Sequence, residues 1–286
     1  MDRASAGWMN GFIGVLIFSG SLPATRMAVM GFDPVFLTVA RAAIAGLIAL
    51  ALLVLFREKR PARADLASLA IVAFGVVIGF PLLTALALTH ITSAHSIVFI
   101  GLLPLSTAIF GVLRGGERPQ PMFWLFAILG SATVAGFALS NDGTASLTGD
   151  LLMVAAIVLC GLGYAEGAAL SRRLGGWQVI SWALLLSLPL MVPVAILTWP
   201  STWSGISAPA WIGLAYVSVF SMFVGFIFWY RGLAVGGIAR VGQLQQLQPF
   251  FGLALAGLLL HEPVAWSMIV ATALVVACVF FARRFA

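Results

Sequence analysis

Residues 87 to 118, ALTHITSAHSIVFIGLLPLSTAIFGVLRGGER, and residues 232 to 263, GLAVGGIARVGQLQQLQPFFGLALAGLLLHEP, align without a gap at an offset of 145. In each copy an apolar segment closes, a loop of small residues follows, and a second apolar segment carries a proline near its centre. Leu88 falls on Leu233, Ala94 on Ala239, Pro104 on Pro249 and Glu117 on Glu262. The 286-residue chain has only 13 Pro and 9 acidic side chains, so an ungapped match of both types marks a duplication. Self-similarity at a fixed spacing means one structural unit made twice.

The residues outside these phrases say where such a unit lives. Hydrophobic residues make up 62% of the chain, charged ones 8%, and the mean hydropathy is +1.11. A water-soluble core cannot bury that much apolar surface, so the expected class is an all-α integral membrane protein. Its apolar stretches approach the roughly 20 residues that cross hydrocarbon as a helix, and none alternates as a barrel strand does. The net charge of +6 does not indicate nucleic acid, because the basic residues are scattered between apolar spans rather than gathered on one segment. Cys160 and Cys278 both lie inside apolar stretches, which argues against a structural disulfide or a metal site, and no cofactor is expected.

Ten spans are expected, at 7 to 29, 34 to 56, 66 to 88, 93 to 113, 121 to 140, 149 to 171, 177 to 198, 208 to 231, 238 to 260 and 264 to 284. Of the 15 basic residues, all but Arg26 and Arg41 fall at the amino end or in alternate loops: Arg57 to Arg63, Arg114 and Arg118, Arg172 and Arg173, Arg231 and Arg240, then Arg283 and Arg284. Cytoplasmic loops carry the positive excess, so both termini are expected in the cytoplasm. Trp177, Trp199, Trp203 and Trp211 lie near span ends, at the level indoles favour. The first span is not expected to be a cleaved signal peptide, because its removal would leave the span at 149 to 171 without a repeat partner. Five spans per copy make residues 1–140 and 149–286 two inverted repeats, an architecture in which halves rock around a site near the midplane.

The Pro104-to-Glu117 and Pro249-to-Glu262 phrases, with Arg41 early in the second span, resemble the paired EamA domains of the drug/metabolite transporter superfamily. Within it the chain is similar to bacterial amino-acid exporters, including the aromatic branch. The resemblance implies a cavity lined chiefly by the first, third, fourth, sixth, eighth and ninth helices. One departure is that Ala183 or its apolar neighbours stand in the second copy where the first has Arg41.

Pro104 and Pro249 each lack a backbone donor and crowd the carbonyl four residues earlier, at Ile100 and Gln245. They read either as packing kinks or as hinges beside a substrate. Around Pro249 stand Gln243, Gln245, Gln246 and Gln248, which are costly in hydrocarbon unless they face protein or water. Helical spacing points Gln245 and Gln246 to the cavity, with interhelical hydrogen bonding as the competing role. Glu166 either pairs with Arg172 or Arg173 or serves a proton or a substrate ammonium, with Tyr164 beside it. Arg41 either snorkels, pairs with Asp33 or Asp142, or binds a substrate carboxylate. Glu117 and Glu262 read as structural, each placing negative charge at a helix amino end. Ser19, Ser21, Pro81, Thr84 and Trp229 complete the expected cavity, although hydroxyls also bond their own helix backbone. His90, His95 and His261 are expected near the outer surface.

The expected function is export of small metabolites, foremost neutral or aromatic amino acids, by alternating access from a bacterial inner (cell) membrane. The expected partners are the substrate and the lipid bilayer, with the chain acting as a monomer. Export of lipophilic cations or drugs, a nucleotide-sugar carrier and a channel are the alternatives. No nucleotide loop, metal constellation or partnered nucleophile suggests an enzyme.

Overall fold

The computed structural model describes residues 3–115, 120–139, 146–236 and 241–285, and among them every regular element is helical. In chain order the apolar helices are α1 (Ser5–Val29), α2 (Pro34–Leu55), α3 (Arg63–His90), α4 (Ser93–Leu113), α5 (Pro121–Phe137), α6 (Leu147–Leu174), α7 (Gly176–Leu197), α8 (Ala208–Val235), α9 (Leu244–Leu260) and α10 (Trp266–Ala282). Seven are long and apolar enough to cross a membrane, while α5, α9 and α10 are shorter. Local chemistry sets several boundaries. The Asp33 carboxylate accepts from the amides of Val35 and Phe36 at 2.9 and 3.0 Å, and Pro34 opens α2 where no donor is needed. Thr92 and Ser207 cap α4 and α8 in the same manner. Gly175, at φ +95, makes the sharp turn between α6 and α7 that an L side chain resists.

Helices of the first half pack on helices of the second. Five such pairs are α1 with α8, α2 with α7, α3 with α6, α4 with α9 and α5 with α10. Exchanging the halves leaves this set unchanged, because α1·α8 and α3·α6 swap and the other three map onto themselves. Each pair is antiparallel. Phe36 meets Trp199 at one end of α2·α7, and Phe56 meets Trp177 at the other. Asp65, at the start of α3, pairs with Arg173 near the end of α6 at 2.7 Å. Ser93, opening α4, meets Glu262 just beyond α9, and Phe126 of α5 stacks on Phe281 of α10. Glycine permits close crossings in two of these pairs: a Cβ on Gly232 would lie 2.6 Å from the Gly11 nitrogen, and one on Gly75 2.6 Å from the Leu159 carbonyl.

Three kinds of irregularity cluster along these helices. α1 breaks at Gly20, four residues after Leu16 and three before Pro23, whose ring crowds the Ser19 carbonyl. There Tyr216 reaches in from α8 and its hydroxyl donates to the Ile17 carbonyl at 2.7 Å; a Cβ on Gly20 would stand 2.6 Å from that oxygen. α3 and α8 each contain a run of wide π turns, Ala73–Gly79 and Tyr216–Val224, which overlap under the 145-residue offset. Such turns are rare and collect at functional sites. α4 and α9 loosen just ahead of their prolines, at Gly101 and Leu102 and over Gly242–Leu247. Pro104 and Pro249 therefore stand second in new helical segments, Leu103–Gly115 and Gln248–Leu260, and do not bend a continuous rod.

Candidate functional site

The irregular segments surround one cavity. It lies between the halves and is lined from α1, α2, α3, α4, α6, α8 and α9, with about 440 Å³ of empty space. Much of it is too narrow to admit a water-sized sphere, so a bulky guest requires the walls to part. A recess of about 170 Å³ extends from it, sharing Phe18, Leu22, Ile100 and Gln248 and adding Ser19, Ile97 and Gly252. The walls are largely apolar. Phe18, Phe80 and Phe226 supply rings, and Leu22, Val76, Pro81, Ile100, Leu103 and Met222 fill between them. The polar lining is Ser21, Arg41, Cys160, Tyr164, Ser221 and Gln248.

Three of these form a chain across helices. The hydroxyls of Ser21 on α1 and Ser221 on α8 are 2.7 Å apart, and Arg41 Nη2 on α2 donates to Ser221 Oγ at 3.2 Å. Arg41 is 5% exposed, and no described carboxylate stands within ion-pair distance of it; its Nε has no described hydrogen-bond partner. Its expected partners are not available: Asp33 is engaged in capping α2, and Asp142 lies outside the described residues. Confining a lone cation away from water costs several kcal/mol, which a passing anion would offset. Gln248 donates from Nε2 to the Phe18 carbonyl at a long 3.5 Å, while its Oε1 has no described partner.

Of the residues expected from sequence, the structure brings Ser21, Pro81, Tyr164 and Arg41 to the cavity and Ser19 to the recess. Ser19 itself donates to the Val15 carbonyl. Thr84 is turned to its own helix, donating to Phe80 and Pro81 carbonyls. Trp229 is buried one layer back, against Phe18 and Tyr164. Gln245 and Gln246 do not line the cavity; the amide that does is Gln248, because the tight turns over Gly242–Leu247 rotate the earlier positions away from where uniform helical spacing puts them. Gln243 and Glu117 have side chains outside the described residues. Glu166 is buried and engaged but is absent from the lining, and of its two expected arginine partners Arg173 is paired with Asp65. Residues that sequence reasoning missed are Ser221, Phe226 and the recess-facing Ile97. The repeat contains the signal for two of them: Phe226 is 145 residues from Pro81 and Ser221 is 145 from Val76.

Away from the cavity, a polar cluster closes one end of the bundle. Glu262 accepts from the amides of Ser93 and Ala94 at 3.1 and 2.8 Å and from Ser93 Oγ at 2.7 Å. It therefore supplies negative charge to the amino end of α4, in the other half, not to the α10 that follows it in sequence. Arg26 approaches Glu262 at 3.9 Å and donates to the Leu88 carbonyl. His95, in the first turn of α4 at the same end, is 1% exposed, and its Nε2 lies 2.8 Å from Asp150 Oδ1 on α6.

A helical bundle with a small cavity between two similar halves defines a membrane transporter class, and comparison with known proteins specifies it. The EamA-like transporter family matches residues 5–139 and 147–284, and the chain belongs to that family. It is 68% identical, over the whole of both chains, to the uncharacterized transporter YdeK of Bacillus subtilis (strain 168). It is 26% identical over 216 residues to the uncharacterized transporter YvbV of the same organism, covering 69% of this chain and 70% of that one. A crystal structure at 20% identity superposes with a TM-score of 0.68 over 97% of this chain and 96% of that one, a likeness of fold alone. The protein is thus a multi-pass membrane transporter, and its relatives are named as transporters and not as enzymes.

Proposed function

We propose that this transporter exports small metabolites, foremost neutral and aromatic amino acids, across a bacterial cytoplasmic membrane by alternating access. The observation that carries the reading is the cavity: apolar and ring-lined, shared by both halves, with a single buried cation and several neutral hydrogen-bonding groups. A lipophilic cation would want a carboxylate there, and none of the described residues lining the space is one. A sugar nucleotide would want several cations for its phosphates, and among the described residues only Arg41 lines the space. A neutral amino acid asks for less, with its carboxylate near Arg41, its ammonium near Gln248 Oε1 and Tyr164, and its side chain among the rings.

The reading includes ten spans, two inverted repeats at 1–140 and 149–286, and both termini in the cytoplasm. The antiparallel packing of α2 on α7, α4 on α9 and α5 on α10 supports the inversion, because a direct repeat would run these equivalent helices parallel. Uptake into proteoliposomes of the purified chain, run as a panel of neutral amino acids, quaternary ammonium dyes and sugar nucleotides with counterflow, tests the function. Saturable amino-acid counterflow is expected. Movement of dyes or sugar nucleotides without any amino acid overturns the substrate, and flux without counterflow makes the protein a channel.

A further inference from the structure

The geometry points to a carboxylate-binding subsite formed by Arg41, Ser221 and Ser21, one that recognises its ligand by the carboxylate alone. The inference rests on the transporter reading and extends its substrate class from amino acids to aromatic and bulky apolar monocarboxylates, including 2-oxo acids, that carry no ammonium group.

Arg41 contributes the charge. Its guanidinium has five donors in a planar fork matched to a carboxylate. Among the described residues one donor is used, on Ser221 Oγ, and Nε is buried without a partner. Ser21 and Ser221 contribute a proton. Two hydroxyls 2.7 Å apart need only one hydrogen between them, and neither is described as bonding its own helix backbone, as Ser19 and Ser218 do. The pair therefore retains one O–H to donate, next to the guanidinium. All three side chains are at least nine-tenths buried and line the same cavity from α1, α2 and α8. A carboxylate seated here would collect two charge-assisted bonds from the fork and one from a hydroxyl, the combination that makes such contacts short and strong.

The opposite head group has no comparable seat. Among the described residues no Asp or Glu lines either the cavity or its recess. Glu166, one candidate for an ammonium, is outside the lining and already engaged. Asp150 is paired with His95 and Glu262 with the α4 amino end. An ammonium would find only neutral oxygens and ring faces, so it adds little to binding. Phe18, Phe80 and Phe226 stand ready for an apolar body.

The test uses the purified full chain and three ligands that differ by one head group: phenylalanine, 3-phenylpropanoate and phenethylamine. Binding is read by ligand-induced shift of the melting temperature and by competition against counterflow. Phenylalanine and 3-phenylpropanoate should bind within about fivefold of each other, and phenethylamine at least about tenfold more weakly. Arg41→Gln should remove binding of both acids while raising the melting temperature of the ligand-free protein, since it deletes an uncompensated buried charge. Arg41→Lys should retain partial binding, and Ser221→Ala should weaken both acids alike. If phenylalanine binds and 3-phenylpropanoate does not, the ammonium is required and this inference falls while the exporter reading stands. Binding of phenethylamine with neither acid overturns both, as does failure of both acids to bind the folded protein. An Arg41→Gln chain that melts lower yet binds the acids unchanged makes the arginine a packing residue. Equal protection by chloride would reduce the subsite to a general anion site and overturn the carboxylate assignment.

Discussion

The two halves place residues at the same addresses in the cavity and fill them with different chemistry. Val76, Pro81 and Leu103 line it from the first half, and the residues 145 further on, Ser221, Phe226 and Gln248, line it from the second. Backbone irregularity follows the address: both halves have the π turns and both loosen ahead of the proline, even though Phe226 has no ring nitrogen to force the wide turn that Pro81 follows. At two of these addresses the second half has a hydroxyl or an amide where the first has hydrocarbon, while Ser21 and the cation Arg41 come from the first half. Leu186, 145 residues after Arg41, is 43% exposed on the outside of α7. A duplicated frame thus sets equivalent addresses around one cavity, while divergence inside it fills them with different chemistry.

Exchanging chemistry between equivalent addresses should break this division. Gln248→Leu gives the second half the residue of the first, at Leu103, and should lower the initial rate of counterflow by about tenfold or more, since a buried hydrogen-bonding group facing the substrate is lost. Leu103→Gln should cost less than about threefold, because the added amide meets hydrocarbon that water can partly replace. Equal losses in the two variants would mean that the walls are not functionally distinct.

The closed end offers a second comparison, between a cap made within one half and a cap made across halves. Glu262→Gln weakens the charge that holds the α4 amino end and should lower stability by about 1 kcal/mol. Thermal unfolding in detergent should then shift down by about 2–4 °C. Asp33→Asn, a cap within the first half, should shift it by less, since Asn retains the side-chain oxygen that accepts from the amides. A larger effect at Asp33 would remove Glu262 from the contacts that hold the halves together.

The smallest effect is expected at Gln245. It is buried, its Nε2 has no described partner, and it does not line the cavity. Gln245→Leu should change counterflow by less than about twofold and leave melting unchanged or slightly higher, because an unmet polar group is removed. A loss matching that of Gln248→Leu would place both amides on the substrate path.

Helix positions were legible because apolar length is a coarse property that local irregularity does not erase: the described helices begin and end within a few residues of the expected limits, with tight turns from Gly242 leading into α9. The cavity was legible where it rests on rigid, regular helix, as at Tyr164 on α6. It was not where the backbone departs from 3.6 residues per turn. Uniform spacing selected Gln245 and Gln246, and the tighter turns before Pro249 brought Gln248 round instead. Ser221 lies within π turns, which shift the facing of each residue in the opposite sense. Partners across the halves were also hidden. The 169-residue separation between Ser93 and Glu262 gives no local signal, so the carboxylate was assigned to the helix next to it in sequence.

The central claim is that the cavity between the halves opens to each side of the membrane in turn, and a native residue reports on it. Cys160 lines the cavity from α6 and is 1% exposed. With Cys278→Ala as background, Cys160 should be modified by a membrane-impermeant thiol reagent from either face of oriented vesicles, slowly, and more slowly in saturating phenylalanine. Modification from one face only, or from both faces at rates that phenylalanine does not alter, would contradict alternating access at this cavity.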